Sequence, residues 1–306
     1  MELNEIIAEL ENYTGKFPRQ ALEKAIEEQE AITPVLLETL EKWKDNVEGL
    51  VELPNYFLHI HALFLLAQFR ETKAYPLIIK FFSTPGETAG DVTGDIVTED
   101  LHRMLASVYD GNIELLKQLI ENPKLDEFVR SAGLKTLLIL VAQKIVPRES
   151  IIEYFAELFT TRLEEERSYP DQETSYIWTN LVHSSAMLYP LELKEHIEQA
   201  FDADLVDLFY INQERFEYYL NLGEDKALAK LRQDKYYSLI EDTISEMEWW
   251  ACFREKESKI ERIKPSGIGK LKLAPEKKSN SKKKSKKRTK NKMQKQARRK
   301  NRSKKK

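Results

Sequence analysis

The chain has 306 residues, room for one large domain or two smaller ones at about 100 to 200 residues each. Its formal charge of −3 averages two opposite parts: all 51 acidic residues precede Lys277, beside 30 basic ones, so residues 1–276 carry −21, while residues 277–306 hold 18 Lys and Arg and no acid. The start, Met1 to Glu5, lacks the basic and apolar stretches of a secretory signal, and the longest apolar runs, 62–67 and 137–142, fall far short of the roughly 18 residues that cross a bilayer. A soluble, cytoplasmic protein without membrane insertion is therefore expected. The single Cys252 excludes an intramolecular disulfide and a multi-thiolate zinc site.

Gly and Pro are sparse, and they punctuate segments of helical period. Leu3, Ile6, Ile7 and Leu10 form one apolar stripe, with Thr14-Gly15 as its stop. A second helix starts at Pro18, and Thr33-Pro34 reads as an N-cap followed by proline at the first helical position. Further helices are expected near 54–70, 76–83, 99–109, 112–121, 126–144, 148–163, 174–188, 191–201, 212–221, 224–232 and 235–253. No strand signal competes with them. An ungapped shift of 71 positions superposes Phe57-Leu58 on Phe128-Val129, Ala62-Leu63 on Gly133-Leu134, Leu66 on Leu137 and Pro76 on Pro147. Each block is a long helix, a bend, and a proline that opens the next helix. Half of that shift suits helix-pair repeats, so the expected fold is all-α: a HEAT-like α-solenoid of irregular helical hairpins, in which stacked neighbours share a core that one hairpin cannot bury. The alternative is a compact helical bundle. The expected division is a helical body at 1–253, a linker at 254–276 and a disordered Lys/Arg-rich tail at 277–306.

Several blocks are familiar: Tyr56-Phe57-Leu58-His59 running into Leu65-Leu66-Ala67-Gln68-Phe69, Tyr75-Pro76-Leu77, Gly94-Asp95 leading to Thr98-Glu99-Asp100-Leu101, and the stretch from Ile240 to Trp250. On these the body resembles a largely bacterial family with HEAT-like repeats, domain of unknown function 1186. The resemblance implies the fold and brings no reaction or ligand. Some relatives end in a cysteine-rich metal motif whose cysteines this chain lacks.

Few residues point to catalysis, and no catalytic, cofactor or metal-ligating residue is assigned. His59 and His61 lie about 200° apart on a helix and cannot share a metal. His102, His183 and His196 are isolated and read as core or surface histidines. Cys252 sits in apolar surroundings that raise a thiol pKa, so it reads as a buried structural thiol. Residues 85–98, with Asp91 and Asp95 among three glycines, form the longest expected loop in the body and a candidate functional segment, though the spacing of an EF-hand is missing. Thr98 would cap the helix after it. Trp249 and Trp250 lie among carboxylates in the last expected helix, which either closes the stack or presents aromatic anchors to a partner protein.

The tail gives the clearest signal. Lys282, Lys283, Lys284, Lys286, Lys287, Arg288, Lys290, Arg298, Arg299, Lys300 and Arg302 form a polyanion-binding set without any aromatic residue to stack on bases. The expected function is a non-catalytic adaptor: the acidic body, whose surface suits a basic partner, holds a protein, and the tail attaches non-specifically to RNA or ribosomes, with no cofactor. One alternative is a cofactor-handling factor, by fold-level analogy with the HEAT-like bilin lyases. Another is an assembly or solubilising protein whose tail lies on its own body.

Overall fold

The computed structural model describes residues 1–168 and 175–254, the side chains of 163–168 excepted. The expected tail, and the linker beyond Arg254, lie outside them. The described residues form one all-α unit without strands. Its helices are α1 (Leu3–Glu11), α2 (Arg19–Glu27), α3 (Gln29–Trp43), α4 (Leu58–Gln68), α5 (Ala74–Phe82), α6 (Thr88–Thr93), α7 (Ile96–Glu99), α8 (Leu101–Ser107), α9 (Ile113–Glu121), α10 (Glu127–Ala142), α11 (Arg148–Ser168), α12 (Ser175–Met187), α13 (Lys194–Asp202), α14 (Gln213–Leu222), α15 (Glu224–Gln233) and α16 (Thr243–Met247).

Helices α4, α8, α10 and α12 stack in order as an inner row. An outer layer packs behind it, with α5 against α3 and α9, and α11 against α12 and α13. Of the consecutive pairs, α10/α11 and α12/α13 pack on each other, whereas α4 packs chiefly on α3 and α9 chiefly on α10, so the helices share one core through partners that differ in part from the expected hairpins. Two inner helices are buried on every side: all of α4 but Gln68, and all of α10 from residue 129 onward. A helix that is apolar all round needs cover on both faces. The outer row supplies one cover. At Gly133 the approach of α9 is so close that an added Cβ would stand 2.6 Å from Cγ1 of Ile120.

Helix ends follow side-chain chemistry. The carboxyl or amide oxygens of Asn112, Asp126 and Asn212 accept from backbone N–H groups at the starts of α9, α10 and α14. At C-termini, orphan carbonyls are taken by arginines from neighbouring elements: Arg130 Nε donates to Ile120 O at 2.8 Å, Arg148 Nε to Leu188 O at 2.7 Å, and Arg232 Nε to Ala142 O at 3.2 Å.

Four expectations are corrected. Helix α3 begins at Gln29, ahead of Thr33-Pro34, because the Glu28 carbonyl accepts from Ala31 and Ile32; Pro34 lies inside the helix, and Thr33 Oγ1 donates to Gln29 O at 2.7 Å. Residues 85–98 are not a long loop. Ala89, Thr93, Ile96 and Val97 are buried, and that burial folds the segment into α6 and α7, which meet at Gly94 with φ of 61°. Thr98 sits inside α7, and Asp100 takes the N-cap position of α8. The expected helix at 235–253 is broken into two 3-10 turns, an irregular stretch and the short α16, for reasons given below.

Inner helices close with left-handed residues: Arg70 after α4, Lys144 after α10 and Tyr189 after α12, at φ of 56°, 58° and 62°. After Lys144, the N–H of Ile145 reaches Leu140 O at 2.8 Å, the long bond of a Schellman cap. Lys144 is exposed and strained in that conformation, which glycine adopts freely. Lys144→Gly should therefore raise stability by about 0.5–1 kcal/mol, net of the extra freedom of the unfolded chain, read as an upward shift of the urea midpoint.

Candidate interaction groove

The second cover of the inner row is the chain's own C-terminal strap, residues 234–254. From the end of α15, which packs on α10 and α12, a 3-10 turn at Lys235–Tyr237 lies against α10 and α8, and α16 packs on α4 and α2. The strap ends beside the first helix, where Tyr13 Oη donates to Cys252 O at 2.7 Å. It therefore runs along α10, α8 and α4, three of the four inner helices.

Side chains of the inner helices hold its main chain. His102 Nε2 meets Tyr236 O at 2.6 Å, Arg103 Nε donates to Ser238 O at 3.1 Å, and Arg70 Nη1 donates to Ile240 O at 2.7 Å. In the other direction, the N–H of Ile240 donates to Ser107 Oγ at 2.9 Å and that of Thr243 to Gln68 Oε1 at 2.8 Å. An N–H has one proton to give, and those of Ile240 and Thr243 go to Ser107 and Gln68 instead of to helical carbonyls, which is why 238–242 is irregular despite its apolar period. The strap's own anchors, Tyr237, Ile240, Thr243 and Met247, are buried between helices.

Arg103 is the densest node. Its Nη1 and Nη2 pair bidentately with Glu246 at 2.9 and 2.6 Å, Nη2 also reaches Ser238 Oγ and Leu239 O, and Nη1 reaches Asp100 at 3.3 Å. Glu246 already matches the guanidinium, so Asp100 is a surplus carboxylate. Burial, with Glu246 nearby, pushes its pKa up to about 6 against the pull of Arg103. Next along the groove, Lys135 Nζ donates to Tyr236 Oη at 2.7 Å, and that hydroxyl donates to Thr98 O at 2.7 Å. Burial lowers the Lys135 pKa to about 8. At the other end Arg70 Nη2 pairs with Glu241 at 2.6 Å, and Arg19 pairs with Glu248. The helices thus present cations and the strap presents carboxylates.

The remaining expected residues fall as follows. Trp250 packs on Phe64 and Phe57, with ring centroids 5.5 and 6.5 Å apart, so it anchors the strap, whereas Trp249 is 61% exposed. Cys252 is exposed, a correction to the buried thiol; the 3-10 turn at Ala251–Phe253 sets it at the unit's edge, and partial burial raises its pKa. Asp91 and Asp95 are both exposed, in α6 and at the N-cap of α7. His59 and His61 point to different carbonyls, Val92 O at 3.1 Å and Leu10 O at 2.8 Å. A second surface lies at the loop before α14, where Leu208, Phe209 and Tyr210 are exposed beside Tyr218 around an open depression of about 380 Å³ that also touches Asn212, Glu214 and Arg215. The Asp207 N–H donates to Thr179 Oγ1 at 2.8 Å and pins this loop.

Sequence reasoning missed Arg70, Arg103, Lys135 and Glu246. The available signal was the all-round apolar character of 58–67 and 129–142, interrupted by Arg130 and Lys135: it required a cover with polar partners on the second face.

Residues 1–254 match the family model described as "Protein of unknown function (DUF1186)", and the chain belongs to that family. It is similar to an uncharacterized protein of Chlamydia muridarum, 40% identical over 252 residues, which are 82% of this chain and 97% of the relative. An uncharacterized protein of Chlamydia trachomatis serovar D is 40% identical over 251 residues, 82% of this chain and 96% of its own length. No solved structure shows a significant match. The alignments take in nearly the whole of each relative, so both relatives are shorter than this chain.

Two measurements probe the groove. Arg103→Met should cost about 3 kcal/mol, because it strands two part-buried carboxylates, whereas Glu246→Gln should cost less with Asp100 still in place; urea unfolding reads both. Burial lowers the His61 pKa from 6.5 to about 4, so the unfolded chain takes a proton that the folded one refuses. The stability this confers is fully present above pH 6.5 and is lost as pH falls toward 4, by about 2 kcal/mol at pH 5. His61→Asn should therefore lie below wild type at pH 7.5, with the gap narrowing by that amount at pH 5.

Proposed function

We propose that the protein is a non-catalytic cytoplasmic adaptor, in which the helical body holds a protein partner and the basic C-terminal segment binds RNA or ribosomes without sequence preference. The observation that carries this reading is the charge division: residues 1–276, at −21, are joined to thirty residues that bear 18 cations and no acid. Such a segment gains affinity by releasing counterions from phosphates, a gain that does not depend on base identity. The protein-binding half is supported by the exposed apolar loop Leu208, Phe209 and Tyr210, since aromatic side chains supply most of the affinity at many interfaces. Trp249 adds a second exposed aromatic.

The body and the tail act as separable parts in this reading. The relatives span little beyond the body, so the polyanion attachment is an addition to a unit that they share. Filter binding to a mixed-sequence RNA tests the tail. The full chain should lose affinity by about 10³-fold or more between 50 and 200 mM salt, and a chain stopped after Glu276 should not bind. Equal binding by both chains would defeat the assignment of the tail.

A further inference from the structure

We propose that the inner face of α4 and α8 is a peptide-binding groove, occupied by the strap as an internal ligand, and that its external partner is an acidic protein segment with spaced apolar anchors. This rests on the adaptor reading and names the chemistry of the partner.

The strap is held by its backbone. Gln68, Arg70, His102, Arg103 and Ser107 bind its carbonyl and N–H groups, not its side chains alone. Main-chain capture of an irregular segment is how proteins take extended peptides, with pockets reading alternate side chains. Here the pockets take Tyr237, Ile240 and Met247, whose spacing of three and then seven residues sets the anchor pattern. Glu241 and Glu246 add the charge, each on one arginine. Any segment with the same anchors and two carboxylates satisfies the groove equally well, because the main-chain bonds do not depend on sequence.

The strap is also separable from the stack. Inner helices contact one another directly, α4 on α8, α8 on α10 and α10 on α12, and none of these contacts passes through residues 234–254. Its outer ion pairs, Arg70 with Glu241 and Arg19 with Glu248, are solvent-exposed on the strap side and hold weakly. Tethering adds to the contacts that hold the strap: a covalently attached ligand stands at an effective concentration that reaches millimolar, so an external segment must compete with it. Weakening the strap in cis should then strengthen binding in trans, as for any site whose competent state is only partly populated.

The test uses the full chain and a fluorescent peptide of residues 234–254, followed by anisotropy. Against wild type, Glu246→Gln and the double variant Ile240→Ala with Glu246→Gln should bind the peptide progressively tighter, by about tenfold or more for the double variant. A peptide with Lys at positions 241 and 246 should not bind. Circular dichroism establishes that each variant is folded, and Glu246→Gln alone serves if the double variant is not. Folded variants that gain no peptide affinity would overturn the proposal and leave the strap a fixed part of the fold. A gain shared equally by the Lys-substituted peptide would overturn the acidic partner. Concentration-dependent dimers that replace peptide binding would assign the groove to a second copy and overturn an external partner. None of these readouts involves RNA, so failure here leaves the tail assignment standing, and failure of RNA binding leaves the groove untouched.

Discussion

The body depends on a guanidinium placed where an all-helical protein has least use for one. Arg103 lies on α8, in the middle of the inner row, with its side chain only 10% exposed. Left alone it would cost several kcal/mol of desolvation. Its nitrogens are satisfied by Glu246, Asp100 and the strap's backbone, so the charge that would disrupt the core instead fixes the path of residues 238–246. Once that path is set, α4 and α10 gain their second cover and can be buried on every face. The hairpins on either side then need only pack.

Much of this architecture is legible in the sequence because it is local. Asn112, Asp126 and Asn212 announce helix starts with their own side chains, and the stripe from Leu3 to Leu10 shows which face of α1 is buried. The repeat between residues 57–76 and 128–147 is visible because both blocks solve one packing problem. Where reading fails, a distant group has won. Residues 235–253 carry apolar side chains at helical spacing, yet Ser107 and Gln68 take the N–H groups of Ile240 and Thr243 that a helix would need. Residues 85–98 look like a glycine-rich loop, but the core draws in Ala89, Thr93, Ile96 and Val97. Thr33 and Pro34 resemble a helix start, and the Glu28 carbonyl begins the helix earlier.

The groove was less legible than the fold for the same reason. Its cations are scattered over Arg70, Arg103 and Lys135, and nothing in their local sequence distinguishes them from the solvated charges around them. Only α10 gives a hint: Lys135 interrupts an otherwise apolar run, and a buried amine needs an acceptor, which proves to be Tyr236 on the strap. Trp249 and Trp250 show the limit of spacing arguments. Adjacent residues of one type take opposite environments, one packed edge-to-face on Phe64 and the other in solvent.

Charge ties the groove to the rest of the chain. Residues 1–276, at −21, repel acidic segments at long range, while the proposed groove attracts them at short range through arginines that are themselves shielded by packing. Free acidic peptides therefore approach poorly at low ionic strength, and the tethered strap, which never has to approach, holds the site. Salt shortens the Debye length to about 8 Å at 0.15 M and removes the long-range repulsion more than it weakens part-buried pairs such as Arg103 with Glu246. In the proposed function the basic segment answers in the opposite sense, since the affinity for phosphates assigned to it is the term that salt removes. Under these two proposals body and tail favour different conditions, and the ionic strength that releases a polyanion from the tail is the one at which an acidic partner competes best with the strap.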